Sequence, residues 1–292
     1  GSRGRANAES SIQFQNLEAA AHGAWRIVPG VAMITGLLLR VHLVGIAGWG
    51  LSCAYQLGDA RLEAISIEFA GEHFAAYISS GEEMAKGLTG FFLVLAPLAM
   101  LKMTRFTGQL LRLLVPLILI MLVAALYAAV ELGDLGAGLR WMFEIRREDF
   151  GRAALVSALG QAFYTLGIGV GAMMIYGAYF PDGRSISRQV FAVAVIDTVA
   201  ALVAGVCVYA LVLDHNIEPG NSVALLFISL PYVFGNVLFG DLVGSMFFIL
   251  LALVMLCSAL ALLEPTIAWL VEKTPLHRFG RPSLFQFLFL LF

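Results

Sequence analysis

The sequence predicts an all-α polytopic membrane protein, and three observations carry that expectation. Of 292 residues, 60% are hydrophobic and 13% charged, whereas soluble domains average roughly 45–50% apolar and 25% charged. The mean hydropathy is +0.87. The polar residues cluster between long apolar blocks, where a membrane barrel would show short segments of alternating polarity.

A helix needs about 20 apolar residues to cross a bilayer. Blocks of that kind fall at 27–57, 88–104, 111–130, 153–180, 188–213 and 242–271. A seventh begins near 283 and runs to residue 292. The expectation is six full spans plus a truncated seventh. The stretch 221–239 is apolar but interrupted by Pro231 and glycines, so it is expected to form an extracellular helical hairpin rather than a span. The first residues, "GSRGRANAES", hold neither an initiator Met nor the apolar core of a signal peptide. The last, "FQFLFLLF", stop inside an apolar segment. Residues 1–292 are therefore read as one membrane domain, an internal piece of a longer polytopic protein.

Loop charges set the orientation. Arg3, Arg5 and Arg26 precede the first block, Lys102 and Arg105 follow the second, and Arg184 and Arg188 follow the fourth. Lys273, Arg278 and Arg281 follow the sixth. The alternate loops carry Glu63, Glu68, Glu72, Glu82 and Glu83, then Asp214 and Glu218. By the positive-inside rule the N-terminal end is cytoplasmic, and the expected location is a cell membrane, the bacterial inner membrane. The net charge of −2 argues against a nucleic-acid partner. Cys53, Cys207 and Cys257 lie inside apolar blocks and read as free thiols, with neither disulfide nor zinc spacing.

Ionisable groups inside a span are expensive and face a cavity or a partner. Arg40, His42 and Asp197 are of this kind. Asp197 is either a structural acid bonded to a neighbouring helix or an ion or proton site. The segment "ALGQAFYTLGIGVGAMMIYGAYF", 158–180, spends five glycines in the middle of a span, each costing a helix about 1 kcal/mol relative to alanine. One reading is a helix broken near 165–171, whose carbonyls and the Thr165 hydroxyl face an ion or solute. The other is a small-residue packing face built on Gly167 and Gly171. Composition leaves both open. Hard cations such as Na⁺ take oxygen ligands, which makes Thr165 and Asp197 a sensible pair.

The same segment resembles the sixth helix of the neurotransmitter:sodium symporter family, whose pattern runs A-x-G-Q-x-F-F-[ST]-L-[SG]-x-G-x-G. Other stretches agree in order. "GIAGWGL" is similar to the family's third helix, and "RLLVPLILIMLVAALYAAVELGDLGAGLRWMF" to its fifth helix and following loop. "VIDTVAALVAG" is similar to the seventh, "FISLPYVF" to the fourth extracellular loop, and "FFILLALVMLCSALALLEPTIAWLVE" to the eighth. "GSRGRANA" fits the loop after the second helix. The resemblance implies a partial inverted-repeat fold of the LeuT type, running from that loop to the start of helix nine, with helix six broken.

The resemblance also implies site residues. Thr165 and Asp197 would belong to a first sodium site, with Asp197 where the family commonly has Asn. That acid could stand in for the charge that chloride supplies in chloride-dependent members, so chloride stays uncertain. The Val254 carbonyl, Cys257 and Ser258 would form a second sodium site, with Cys257 where the family prefers Thr; a thiol is a poor Na⁺ ligand. Leu43, Tyr164, Thr165, Gly167, Val170, Ser258 and Leu262 would line the solute. Gln161 and Tyr164 would serve the outer gate, and Tyr179 and Glu272 the cytoplasmic one. Leu43 replaces a tyrosine whose hydroxyl helps hold the substrate carboxylate in the family. Arg40, one helical turn away, could supply an anion anchor instead.

The implied function is a sodium-coupled symporter of an amino acid or related small solute, working in the lipid bilayer by alternating access. The alternative is a transport-inactive relative acting as a sensor or partner subunit, supported by Leu43 and Cys257. An intramembrane aspartyl protease using Asp197 and Asp241 would need both acids at matching depth, and Asp241 lies at the end of the 221–239 stretch. Soluble-enzyme motifs such as a P-loop or dinucleotide fingerprint are absent. Oligomeric state is not legible.

Overall fold

The computed structural model describes residues 27–100, 103–144, 151–170, 185–215, 217 and 222–273, and among these every regular element is helical. Helix α1 is Val28–Gly58, with a proline in its first turn, where the missing N–H would have no intrahelical partner anyway. Helix α2, Ile67–Ser79, starts at Ser66, whose hydroxyl accepts from the Phe69 N–H at 3.2 Å. Helices α3, Gly81–Met100, and α4, Met103–Leu132, follow. Asp134 caps α5, Leu135–Phe143, by accepting from the Ala137 N–H at 2.8 Å. Such N-caps satisfy donors that the first turn leaves without partners. Helix α6 is Arg152–Thr165, and α7 is Ile186–Asp214.

The stretch 221–239 differs from the expected hairpin. It forms one helical run: a turn at Ser222–Ala224, a π-helical turn at Leu225–Ser229, and α8, Leu230–Asn236. Pro231 does not split it. A proline ring clashes with the carbonyl four residues earlier in a regular helix, and the wider π turn just before Pro231 makes room for it. The chain reverses only at Val237–Phe239, with Phe239 at φ 58°, before α9, Gly240–Lys273. Helices α2 and α5 lie in stretches that read as loops, because each is short and only partly apolar.

Four of the helices hold stretches long and apolar enough to cross a membrane: Gly30–Gly58, Arg112–Leu132, Ser187–Asp214 and Gly240–Leu263. Helices α1 and α9 make the most extensive contact, tied by the Ser245 hydroxyl donating to the Ala54 carbonyl at 3.0 Å. The main core lies over the later half of α1, where Leu57, Phe234 and Phe248 are buried with Leu230, Val212 and Val233 from α8 and α7. A second core joins α1, α3 and α9 through Val44, Phe91 and Leu260. The run 222–236 thus closes one end of the bundle with its apolar side inward. The Asn236 side-chain amide holds it there by donating to the Ile65 carbonyl at 2.9 Å.

Helices α1 and α3 cross backbone to backbone. A Cβ added at Gly87 would lie 2.6 Å from the Tyr77 hydroxyl and 2.7 Å from the Gly48 carbonyl oxygen. Without a hydrophobic drive between helices in lipid, small residues at such crossings supply close packing instead. Gly87→Ala is therefore expected to cost the full-length protein about 1–3 kcal/mol, read as a lower Tm in detergent. Gly71→Ala, where the added Cβ meets nothing within 4 Å, should be neutral or stabilising by up to about 1 kcal/mol. Equal Tm values for the two variants would refute the tight crossing.

Candidate functional site at the end of α6

Helix α6 stops at Thr165 through a glycine-dependent cap. Gly167 has φ +61°, the left-handed conformation that side chains with a Cβ resist. Its N–H donates to the Tyr164 carbonyl at 3.1 Å, and the Ile168 N–H reaches back to the Phe163 carbonyl at 3.0 Å. This is the Schellman pairing, which satisfies carbonyls that a helix end would otherwise strand. Gly169 is also left-handed, at φ +91°. A packing face on Gly167 would need the helix to continue through it, and a neighbouring helix close by. Among the described residues neither is present: the nearest atom to an added Cβ at Gly167 is 3.5 Å away, and at Gly169 nothing lies within 4 Å; Gly171 lies outside the described residues. Gly167 and Gly169 serve a chain turn.

That turn delivers Val170 to the bundle. Val170 is 5% exposed and packs with Leu43 of α1 and Leu262 of α9, with Leu39 and Met255 at the edge. Gly36 on α1 permits the approach, since a Cβ there would sit 3.3 Å from the Val170 carbonyl oxygen. Three residues far apart in sequence thus form one apolar cluster. Arg40, one turn before Leu43 on α1, is buried at 5% exposure and engaged by a partner. Ser258, one turn before Leu262, is half-buried, and its hydroxyl donates to the Val254 carbonyl at 3.1 Å. Cys257 beside it is a half-buried free thiol.

The other expected residues are not gathered. Tyr164 and Thr165 are exposed, as is Gln161, whose amide donates to the Thr165 hydroxyl at 3.5 Å. No residue of α6 is buried. Asp197 and His42 are exposed on α7 and α1, and among the described residues Thr165 and Asp197 share no hydrogen bond. Asp241 lies in the first turn of α9, at a helix end. Glu272 falls in the last turn of α9; Tyr179 lies outside the described residues. What sequence reading missed is the polar contact between α1 and α2, where His73 Nε2 lies 2.6 Å from Gln56 Oε1. Its signal was a histidine and two aromatics spaced along a capped helix.

Residues 79–292 match the profile of the Sodium:neurotransmitter symporter family. The chain belongs to that family. Among relatives, it is 23% identical over 265 residues to an uncharacterized sodium-dependent transporter, YhdH, of Bacillus subtilis, covering 91% of this chain and 58% of that protein. It is 25% identical over 165 residues to a sodium- and chloride-dependent GABA transporter, ine, of Drosophila melanogaster, covering 53% of this chain and 18% of that protein. The crystal structure of MhsT in complex with L-phenylalanine superposes with a TM-score of 0.83 at 25% identity, over 98% of this chain and 66% of that one. The chain thus spans little more than half the length of the Bacillus relative. This symporter-family chain has part of the LeuT-type multi-pass fold, as the resemblance implied, and its regular elements among the described residues are all helices.

The cap gives a direct test. Gly167→Ala should cost about 1–2 kcal/mol, the penalty of a Cβ at positive φ, read as a lower Tm. Gly167→Asn should recover part of that loss, because asparagine tolerates the left-handed region. Equal losses for both would mean that space, not backbone conformation, selects glycine.

Proposed function

We propose that the full-length protein is a sodium-coupled symporter that moves an amino acid or related small solute across a membrane by alternating access. The observation that carries the proposal is the capped end of α6 at Thr165, with left-handed Gly167 and Gly169 leading to Val170 against α1 and α9. Interrupted helices at membrane depth belong to cavities, where backbone and hydroxyl oxygens can meet a cation. Family membership and the names of the relatives support sodium as the coupling ion.

In this reading the Thr165 hydroxyl and the Asp197 carboxylate hold one Na⁺, and the Val254 carbonyl with the Ser258 hydroxyl holds a second. Oxygen donors suit the ion; the Cys257 thiol contributes little. Leu43, Val170 and Leu262 receive an apolar part of the solute, with Tyr164, Gly167 and Ser258 around it. Gln161 and Tyr164 close the outer side, and Tyr179 and Glu272 the cytoplasmic side. Arg40 answers the solute's carboxylate in place of the hydroxyl that Leu43 lacks. The N-terminal end of the chain faces the cytoplasm of a bacterial inner membrane, consistent with the loop charges.

Uptake by the full-length protein in liposomes tests this. Replacing external Na⁺ by choline should lower uptake at least tenfold, and replacing chloride by gluconate separates chloride dependence. Thr165→Val and Asp197→Ala should each raise the Na⁺ concentration for half-maximal uptake by about tenfold, equivalent to about 1.4 kcal/mol. Arg40→Ala should weaken solute affinity; unchanged affinity removes it from the site. A second reading, a transport-inactive sensor or partner subunit, is favoured by Leu43 and Cys257. It predicts sodium-dependent solute binding without uptake.

A further inference from the structure

Where α1, α2 and the π-helical turn meet, a cavity of about 20 Å³ is walled by Trp49, Ser52, Gln56, His73, Phe74 and Tyr77, among others. Its aromatic frame is rigid. The Trp49 indole stands edge-on to Phe74, with centroids 5.7 Å apart, and to Phe227 at 5.5 Å. Phe74 and Phe227 stack on each other at 5.6 Å.

The hydrogen bonds around the cavity run in one direction. With the His73 Nε2–H donating to Gln56 Oε1 at 2.6 Å, the Gln56 amide N–H donates to the Ser52 hydroxyl at 3.3 Å. Ser52 is in turn the polar neighbour of Tyr77. At the far end two donors are left over. Among the described residues, the buried side-chain polar atoms without a hydrogen-bond partner are the Trp49 Nε1–H and the Tyr77 hydroxyl. An indole N–H can only donate. Tyr77 is 7% exposed, and burial pushes its pKa up from the ordinary tyrosine value, so the hydroxyl keeps its proton. Donors buried in a low-dielectric setting are costly unless something accepts from them.

We propose that this cavity is a binding site for one ordered water molecule, which accepts from both Trp49 and Tyr77 and so bridges α2 to α1. Size, polarity and charge each select that occupant. A cavity needs about 10–15 Å³ to hold a water. The indole N–H, which can only donate, argues against a metal cation beside it. A halide would accept from both, but the cavity wall holds no lysine or arginine. The ionised group acting on Tyr77 from α3 is Glu83, an acid. Glu83 is paired with Lys86 at 2.7 Å, so the case against an anion is its desolvation with no cationic side chain on the wall, a penalty a neutral oxygen does not meet.

The test uses the full-length protein in detergent and does not depend on transport. A density map that resolves waters should show a peak within about 2.7–3.2 Å of both Trp49 Nε1 and the Tyr77 oxygen. Tyr77→Phe and Trp49→Phe should each lower Tm, and the double variant should lose less than the sum of the two, because both remove contacts to one shared molecule. An empty cavity in the map, or strictly additive losses, would overturn the proposal. So would a wild-type Tm that rises when chloride replaces gluconate at fixed ionic strength and does not rise in Tyr77→Phe, since that result assigns the site to a halide.

Discussion

Helix α1 carries glycines at four of the places where another element comes close, and the described bundle depends on those approaches. Gly36 faces the Val170 carbonyl, Gly48 faces the backbone of α3 at Gly87 and Leu88, and Gly50 faces Leu251 of α9. Gly58 faces the Ser245 hydroxyl. Between lipid-embedded helices there is little hydrophobic gain from association, so close approach and backbone-level packing have to hold them. An added Cβ would crowd its neighbour at Gly36, Gly48 and Gly58, where the nearest atoms are 3.3, 3.1 and 3.3 Å away, and would make ordinary contact at Gly50. At Gly36 that neighbour is the turn leading out of α6, so the Leu43, Val170 and Leu262 cluster depends on the same device as the scaffold.

The two ends of α1 have different characters. Around Trp49 and Leu57 the helix is enclosed by α2, the 222–236 run, α7 and α9, and the core there is aromatic and tightly packed. Among the described residues, around Leu39 and Leu43 it meets a small apolar cluster. Helix α6 and the Asp197 half of α7 lie largely exposed. The cap at Gly167 ends α6 with its last carbonyls satisfied, so the interruption is a stable conformation rather than a frayed end.

The sequence by itself determined the membrane class, the apolar helices, and the place where α6 gives way, because each depends on local chemistry: run length, residue type and the low helix propensity of glycine. It also pointed to Leu43, Val170 and Leu262 through an ordered resemblance, although their meeting depends on how α1, α6 and α9 pack. It did not decide between a packing face and a chain turn at Gly167; φ and the empty space around an added Cβ decided that. Helices α2 and α5 escaped notice because their apolar residues become a buried face only against α1 and α7. Pro231 read as a break, and the π turn beside it absorbs the clash. Trp49 and Tyr77 are ordinary residues in the sequence, and only tertiary packing buries the polar atoms of both beside one small cavity.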